Sequence, residues 1–217
     1  MRLKRRIALA AGLLMAGLML LMTPVKEQET HKASTRQIRD LAGMEKPTAK
    51  NSKDPAGNIG EISADHKETD LPSPDMKALQ KKNPYICGWI MVPDTVINYP
   101  VLYSPDDYYL RHTPERKEEV HGSIYVRQSP DEEPLYIFGH RMRDGSMFAC
   151  LHKYSDKSYA RKNSFLYLYT DTWHRYSYAG SEIVSERRND FTGTGDLFTV
   201  TCAGRKNRLI VRWNKDN

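Results

Sequence analysis

Cysteine is scarce in this chain. There are three in 217 residues, Cys87, Cys150 and Cys202. An odd number cannot all pair within one chain, and no two stand in a Cys-x-x-Cys spacing. That argues against a zinc knuckle or a thioredoxin-type redox pair. At least one thiol is free or bonded to another molecule. A phosphate-cradling loop is also missing, since "TGTG" at 192–195 is only a short turn. No internal repeat is visible. Charge of one sign is not spread along any stripe. The net charge is +6, and Arg2, Lys4, Arg5 and Arg6 supply much of it. Elsewhere basic residues carry acidic neighbours, as in "ERK" and "ERR", and no recognition motif accompanies them. Nucleic acid is therefore not an expected partner.

Long apolar runs are equally rare. The one that exists, Ile7 to Met22, follows the basic cluster directly. A membrane-spanning helix needs about 20 apolar residues, and this run approaches that length when Thr23 to Val25 are included. Cationic residues on its N-terminal flank predict a cytoplasmic start and an outward-facing remainder. The run is long for a signal-peptide core and lacks a clean small-x-small cleavage site, so an anchor is favoured over a cleaved signal. Residues 1–25 are read as a membrane anchor or signal segment, which predicts a single-pass protein of the cell membrane with an extracellular head. Residues 26–71 are rich in Lys, Glu, Asp, Ser, Thr and Pro, with little apolar periodicity, and are read as a disordered extracellular spacer.

The head, residues 72–217, has a different texture. "SPDMKALQKKNPY" predicts a short helix with Ser73 as cap and Pro74 in its first turn. Strand-like runs follow at short intervals: "GWIMV", "VINYPVLY", "GSIYV", "PLYIFGH", "SFLYLYT", "RYSYAGSEIVS", "DLFTVTC" and "RLIVRW". Two short helices are expected among them, around "DDYYLRH" and "SMFACLHKYS". Short strands separated by turn residues point to a mostly-β single domain, a barrel or a sandwich.

Cys87 in "YICGWI" and Cys150 in "MFACLHKY" sit among apolar residues and read as small buried hydrophobes. Cys202 ends a strand, close to Arg205, Lys206 and Arg208, and positive surroundings favour the reactive thiolate. A strand cysteine facing the core is the plainer alternative. A nucleophilic thiol needs a histidine near it in space. His31 and His66 fall in the spacer. His112, His121, His152 and His174 lie among polar residues and read as surface or turn histidines. His140 ends the apolar strand "PLYIFG" and precedes the loop "RMRDGS", and Gly139 allows the backbone to bend there. A satisfied turn histidine is the competing reading. Arg208 starts the strand after Cys202 and could stabilise an oxyanion beside a thiol, or simply cap a strand.

These segments resemble a known family. "TVTC" followed by "RLIV" is similar to the "TLxTC…RxxV" signature of sortases, the cysteine transpeptidases of Gram-positive cell surfaces. "YIFGHRMRDGSMFACLHKY" resembles the class B histidine motif, and "NPYICGWIMVPDTVINYPVLYSPDDYYLRH" resembles the class B opening. The resemblance implies an eight-stranded sortase-type β-barrel with short peripheral helices. It implies Cys202 as nucleophile, His140 as general acid/base and Arg208 as stabiliser of the substrate carbonyl and oxyanion. The implied partners are surface proteins with a C-terminal sorting signal, and an amine of a peptidoglycan precursor or pilin as acceptor. No metal or other cofactor is expected. The sequence departs from the family in a short connection at 185–196 and in only six positions between Cys202 and Arg208, with Ala203 and Gly204 after the cysteine. Arg205 is a second candidate for the arginine role. A degenerate sortase-fold binding module is the alternative to an active transpeptidase, and a hydrolase using water as acceptor is a third reading.

Overall fold

The computed structural model describes residues 27–44, 71–185 and 194–216. The expected anchor at 1–25 lies outside them, as do most of the spacer and the middle of the 185–196 connection. Among the described residues no helix is long and apolar enough to cross a membrane.

Eight strands form a closed barrel: β1 (Ile86–Met91), β2 (Asn98–Tyr103), β3 (Ile124–Val126), β4 (Leu135–Phe138), β5 (Phe165–Tyr169), β6 (Trp173–Ser185), β7 (Leu197–Cys202) and β8 (Asn207–Lys215). Each coincides with one of the eight strand-like runs. Around the barrel they are ordered β1, β2, β3, β4, β7, β8, β6, β5. Closure removes the exposed edges that eight short strands would otherwise present. Most neighbours are antiparallel, but β2 with β3 and β4 with β7 are parallel. The second of these parallel pairs positions the candidate site.

Side chains alternate between two environments, as the period of a strand requires. Ile90, Val101, Ile137, Leu197, Leu209, Val211 and Trp213 belong to the core cluster inside the barrel. Trp89 and Met91, from the same strand as Ile90, point the other way into a second cluster with Ile38, Ala42, Met44 and Leu79. Strand β1 is buried on both faces for that reason, and its sequence is apolar throughout rather than alternating.

The helices required more correction than the strands. Helix α1 spans residues 27–42, within the stretch expected to be a disordered spacer. From Ile38 onward it packs into the second cluster. Arg39 donates from Nε to the Asn98 carbonyl at 2.9 Å, and its guanidinium lies over the Tyr99 ring, 5.3 Å from the centroid. The residues buried here are three, Ile38, Ala42 and Met44, too few to register as a periodic pattern in a charged segment. Helix α2 (Met76–Lys82) is the predicted short helix, but its cap is Asp75, whose carboxylate accepts from the Ala78 amide at 2.9 Å. Ser73 lies outside the helix. The segments Tyr108–Leu110 and Ala149–Ser155 are helical as expected, but wound as 3-10 helices, and a further helix α3 (Lys157–Lys162) follows the second.

Because Ile38 is about 1% exposed, truncating it removes a core contact rather than a spacer residue. Ile38→Ala should destabilise the barrel by about 2–4 kcal/mol, measured by urea unfolding. A change below about 0.5 kcal/mol would return this helix to the status of a spacer.

Candidate active site

Strands β4, β7 and β8 are adjacent, and their register sets the site. In the antiparallel pair β7–β8, Cys202 stands opposite Arg208. The Ala203 amide donates to the Asn207 carbonyl at 2.9 Å, which makes residues 203 and 207 a hydrogen-bonded pair. Cys202 and Arg208 are then a non-hydrogen-bonded pair, the kind whose side chains approach more closely. In the parallel pair β4–β7, Phe138 is level with Val200, and the Gly139 amide extends the ladder to the Val200 carbonyl at 3.1 Å. The chain leaves β4 after Phe138, and His140 follows two residues beyond this last pair, as Cys202 follows Val200 on β7. The expected thiol and guanidinium are thus paired across β7 and β8, and the imidazole lies just past the end of the neighbouring strand. All three residues are half-buried. Arg205 is exposed in the β7–β8 loop, and Arg208 is the arginine in register.

The even-numbered positions of these strands share one face. Tyr136, Phe138, Phe198, Val200 and Ile210 pack together there with Val184 of β6, separate from the barrel interior. Cys202 and Arg208 continue that face. The cysteine is not directed into the interior, which disposes of its plain structural reading. The other two thiols behave as expected: Cys150 is buried, and Cys87 is largely enclosed, its Sγ 3.4 Å from the Val101 carbonyl. Burial pushes the Cys87 thiol up to about 12 and raises Cys150 as well. Neither is a nucleophile at neutral pH.

His140 is held from the loop side. Its Nε2 lies 2.7 Å from the Leu110 carbonyl. A carbonyl can only accept, so Nε2 carries a proton and Nδ1 is the basic atom of the neutral ring. Burial lowers the imidazole's pKa below its ordinary 6.5. The Leu110 carbonyl opposes this, while Arg111, His121 and Arg208 reinforce it. The ring is thereby kept neutral near pH 7.

Two glycines make these approaches possible. Gly139 does not have the positive φ that a bend would exploit. It is required for space, because a Cβ there would stand 2.7 Å from the Phe148 ring and 2.5 Å from Ile124 Cδ1. Gly122, at φ +55°, lies against the backbone of Leu110, the residue whose carbonyl holds His140, and a Cβ would collide with that oxygen.

Two histidines read as surface residues are neither exposed nor incidental. His121 is buried, with Nδ1 3.1 Å from Glu119 and Nε2 3.2 Å from Asp144. Asp144 lies in the loop after His140. Burial would raise its carboxyl, but the Ser146 hydroxyl and amide and His121 outweigh that and hold it below the usual carboxylate range. His152, in the 3-10 helix Ala149–Ser155, has its Nε2 2.9 Å from the Cys202 carbonyl. Local composition does not reveal the burial of either histidine, because Asp144 lies 23 positions from His121 and Cys202 lies 50 from His152. The loop itself returns through Met147, at φ +55°, whose amide donates to the Tyr99 hydroxyl at 3.1 Å.

The depressed imidazole has a measurable consequence. Between its lowered folded pKa and 6.5 the unfolded chain binds more protons than the folded one, so stability rises with pH through that window. The contribution is complete above 6.5 and is lost as pH falls. Urea unfolding at about pH 7.5 and about pH 5.5 should show a smaller loss of stability on acidification in His140→Gln than in the wild type. An equal loss in both would show that His140 is not the group responsible.

Known proteins share this fold. The sortase domain family matches residues 90–215, more than half the chain. Sortase B of Listeria monocytogenes is 43% identical over 90 residues, covering 39% of this chain and 37% of that protein. Sortase B of Staphylococcus aureus is 32% identical over 98 residues, covering 43% and 40%. The chain thus spans about two fifths of the length of the curated relatives it matches. Among solved structures, sortase B from B. anthracis in complex with AAEK1 superposes with a TM-score of 0.67 at 20% identity, over 88% of this chain and 98% of that one. The chain belongs to the sortase family, and within it to class B.

Proposed function

We propose that this protein is a cysteine transpeptidase that cleaves a C-terminal sorting-signal peptide and transfers its acyl part to an amine. The observation that carries this reading is the Cys202–Arg208 pair across β7 and β8, with His140 just past the end of the adjacent β4. A binding module has no need of all three residues.

The proposed chemistry follows from the side chains. The Cys202 sulfur bonds to the scissile carbonyl carbon as its proton passes to Nδ1 of His140, giving a tetrahedral oxyanion beside the Arg208 guanidinium. Collapse breaks the C–N bond. The leaving amine takes the proton from His140, and a thioester remains on Cys202. An incoming amine attacks the thioester, loses its proton to His140, and returns the thiol. Staphylococcus aureus sortase B is known in complex with a substrate, and a sortase B is known in complex with triglycine. We infer a sorting-signal peptide and an amine acceptor here by analogy. A peptidoglycan precursor or a pilin is the proposed source of that amine. The basic cluster and apolar run at 2–22 support placement at the cell membrane, with the barrel outside.

The test is incubation of the protein with a pentapeptide library and an amine acceptor, with mass spectrometry of the Cys202-containing peptide. A trapped thioester and an amine-linked product are expected. Cys202→Ala should abolish both, and Arg208→Ala should lower kcat/KM by about 10²–10³-fold. A folded wild-type protein that forms no adduct with any peptide would instead support a degenerate binding module. Product unchanged by added amine would support a hydrolase.

A further inference from the structure

We propose that His152 is a positioning residue for the nucleophile, supplying through its Nε2–H the hydrogen bond that the end of strand β7 would otherwise lack. The proposal rests on the assignment of Cys202 as nucleophile.

The argument starts from the ladder. In a parallel pair, a residue's carbonyl accepts from the amide one position beyond its partner. That is how the Val200 carbonyl, level with Phe138, accepts from Gly139. Were that register continued by two residues, the Cys202 carbonyl would accept from the amide of residue 141. The chain has left β4 by then. Arg141 pairs instead with Met147, and the Phe148 amide donates to the His140 carbonyl at 2.9 Å. Strand β8 cannot serve either, because Cys202 and Arg208 are a non-hydrogen-bonded pair. The Cys202 carbonyl therefore faces the place that β4 has vacated. Nε2 of His152 occupies that place, 2.9 Å from the oxygen. Since a carbonyl only accepts, the imidazole is the donor.

This contact lies where backbone direction matters most. Beyond Cys202 the chain enters the exposed residues Gly204 to Lys206, and an unpaired strand end frays. The direction of the Cys202 thiol is fixed by the same Cα whose carbonyl His152 holds. One short segment also serves both sides of the site. Phe148, at the N-terminal edge of the 3-10 helix, grips the His140 carbonyl through its amide, and His152, four residues later, grips the Cys202 carbonyl through its ring. The Ser155 hydroxyl donates to the His152 carbonyl at 3.1 Å and steadies the segment. A single turn thus sets the separation between the backbone bearing the base and the backbone bearing the thiol, a distance to which acyl transfer is acutely sensitive.

The experiment compares full-length wild type with His152→Ala, His152→Gln and His152→Asn. A glutamine amide nitrogen reaches the position of Nε2, whereas an asparagine amide nitrogen falls nearer that of Nδ1. Three quantities are read: the alkylation rate of Cys202 by iodoacetamide, kcat and KM separately for peptide transfer, and the melting temperature. His152→Ala should lower kcat by about ten- to a hundredfold, leave KM within about twofold, and slow alkylation. His152→Gln should return kcat to within about threefold of wild type, and His152→Asn should not. An alanine variant equal to wild type in kcat and alkylation overturns the proposal. So does a glutamine variant as slow as alanine at an unchanged melting temperature. If the alanine variant does not fold, the Gln–Asn pair decides, and equal rates in the two overturn it. A wild type that transfers no peptide defeats the proposed function, while the alkylation arm still decides the role of His152.

Discussion

The rest of the structure depends on the hydrogen-bonded register of β4, β7 and β8. A strand pair out of register by one residue turns every side chain to the opposite face. Such a slip between β7 and β8 would separate Cys202 from Arg208, and one between β4 and β7 would shift the strand end from which His140 follows. The register is secured on the interior face by Leu197, Leu209, Val211 and Trp213, where Trp213 donates from Nε1 to the Thr199 hydroxyl at 3.0 Å. It is secured on the outer face by Phe198, Val200, Ile210 and Phe138. Both faces of β7 are buried up to the residue before the nucleophile. The site is thus the point where a strand buried on both sides first becomes reachable from solvent.

The barrel was largely legible in the primary structure. Its eight strands are short, β-branched and aromatic, and turn residues bound them, so local pattern and tertiary placement agree. The thiol, imidazole and arginine stood out as candidates, each by its position at a strand end. The helices and the supporting histidines were not. Helix α1 buries too few apolar residues to stand out against its charged surroundings. The Asp75 cap lies two residues past the serine that composition favoured. His121 and His152 act through partners far away in the chain, and a polar neighbourhood in one dimension says nothing about burial in three.

The support of the site is unevenly distributed. Cys202 is held on one side through the β7–β8 ladder bonds of its neighbours and on the other by His152. The His140 ring is held by the Leu110 carbonyl, which Gly122 approaches closely because it has no side chain. The loop from Arg141 to Met147 is fastened by Asp144 to His121 and by the Met147 backbone to Tyr99. Met147 adopts a left-handed backbone conformation that unbranched residues of its size seldom occupy. Its amide donates a hydrogen bond to the buried Tyr99 hydroxyl.

The Tyr99 link has a mechanical consequence. Asn98 receives Arg39 on its carbonyl and the Trp89 indole on its side chain at 2.6 Å, and Tyr99 lies beneath the Arg39 guanidinium while its hydroxyl holds Met147. Tension applied to the chain on the N-terminal side of Ile38 would therefore not be borne by a slack leader. It would reach β2 through Arg39, and through Tyr99 it would bear on the loop that follows His140. The residues that join α1 to the barrel are thus also the route by which pulling on the polypeptide would disturb the imidazole.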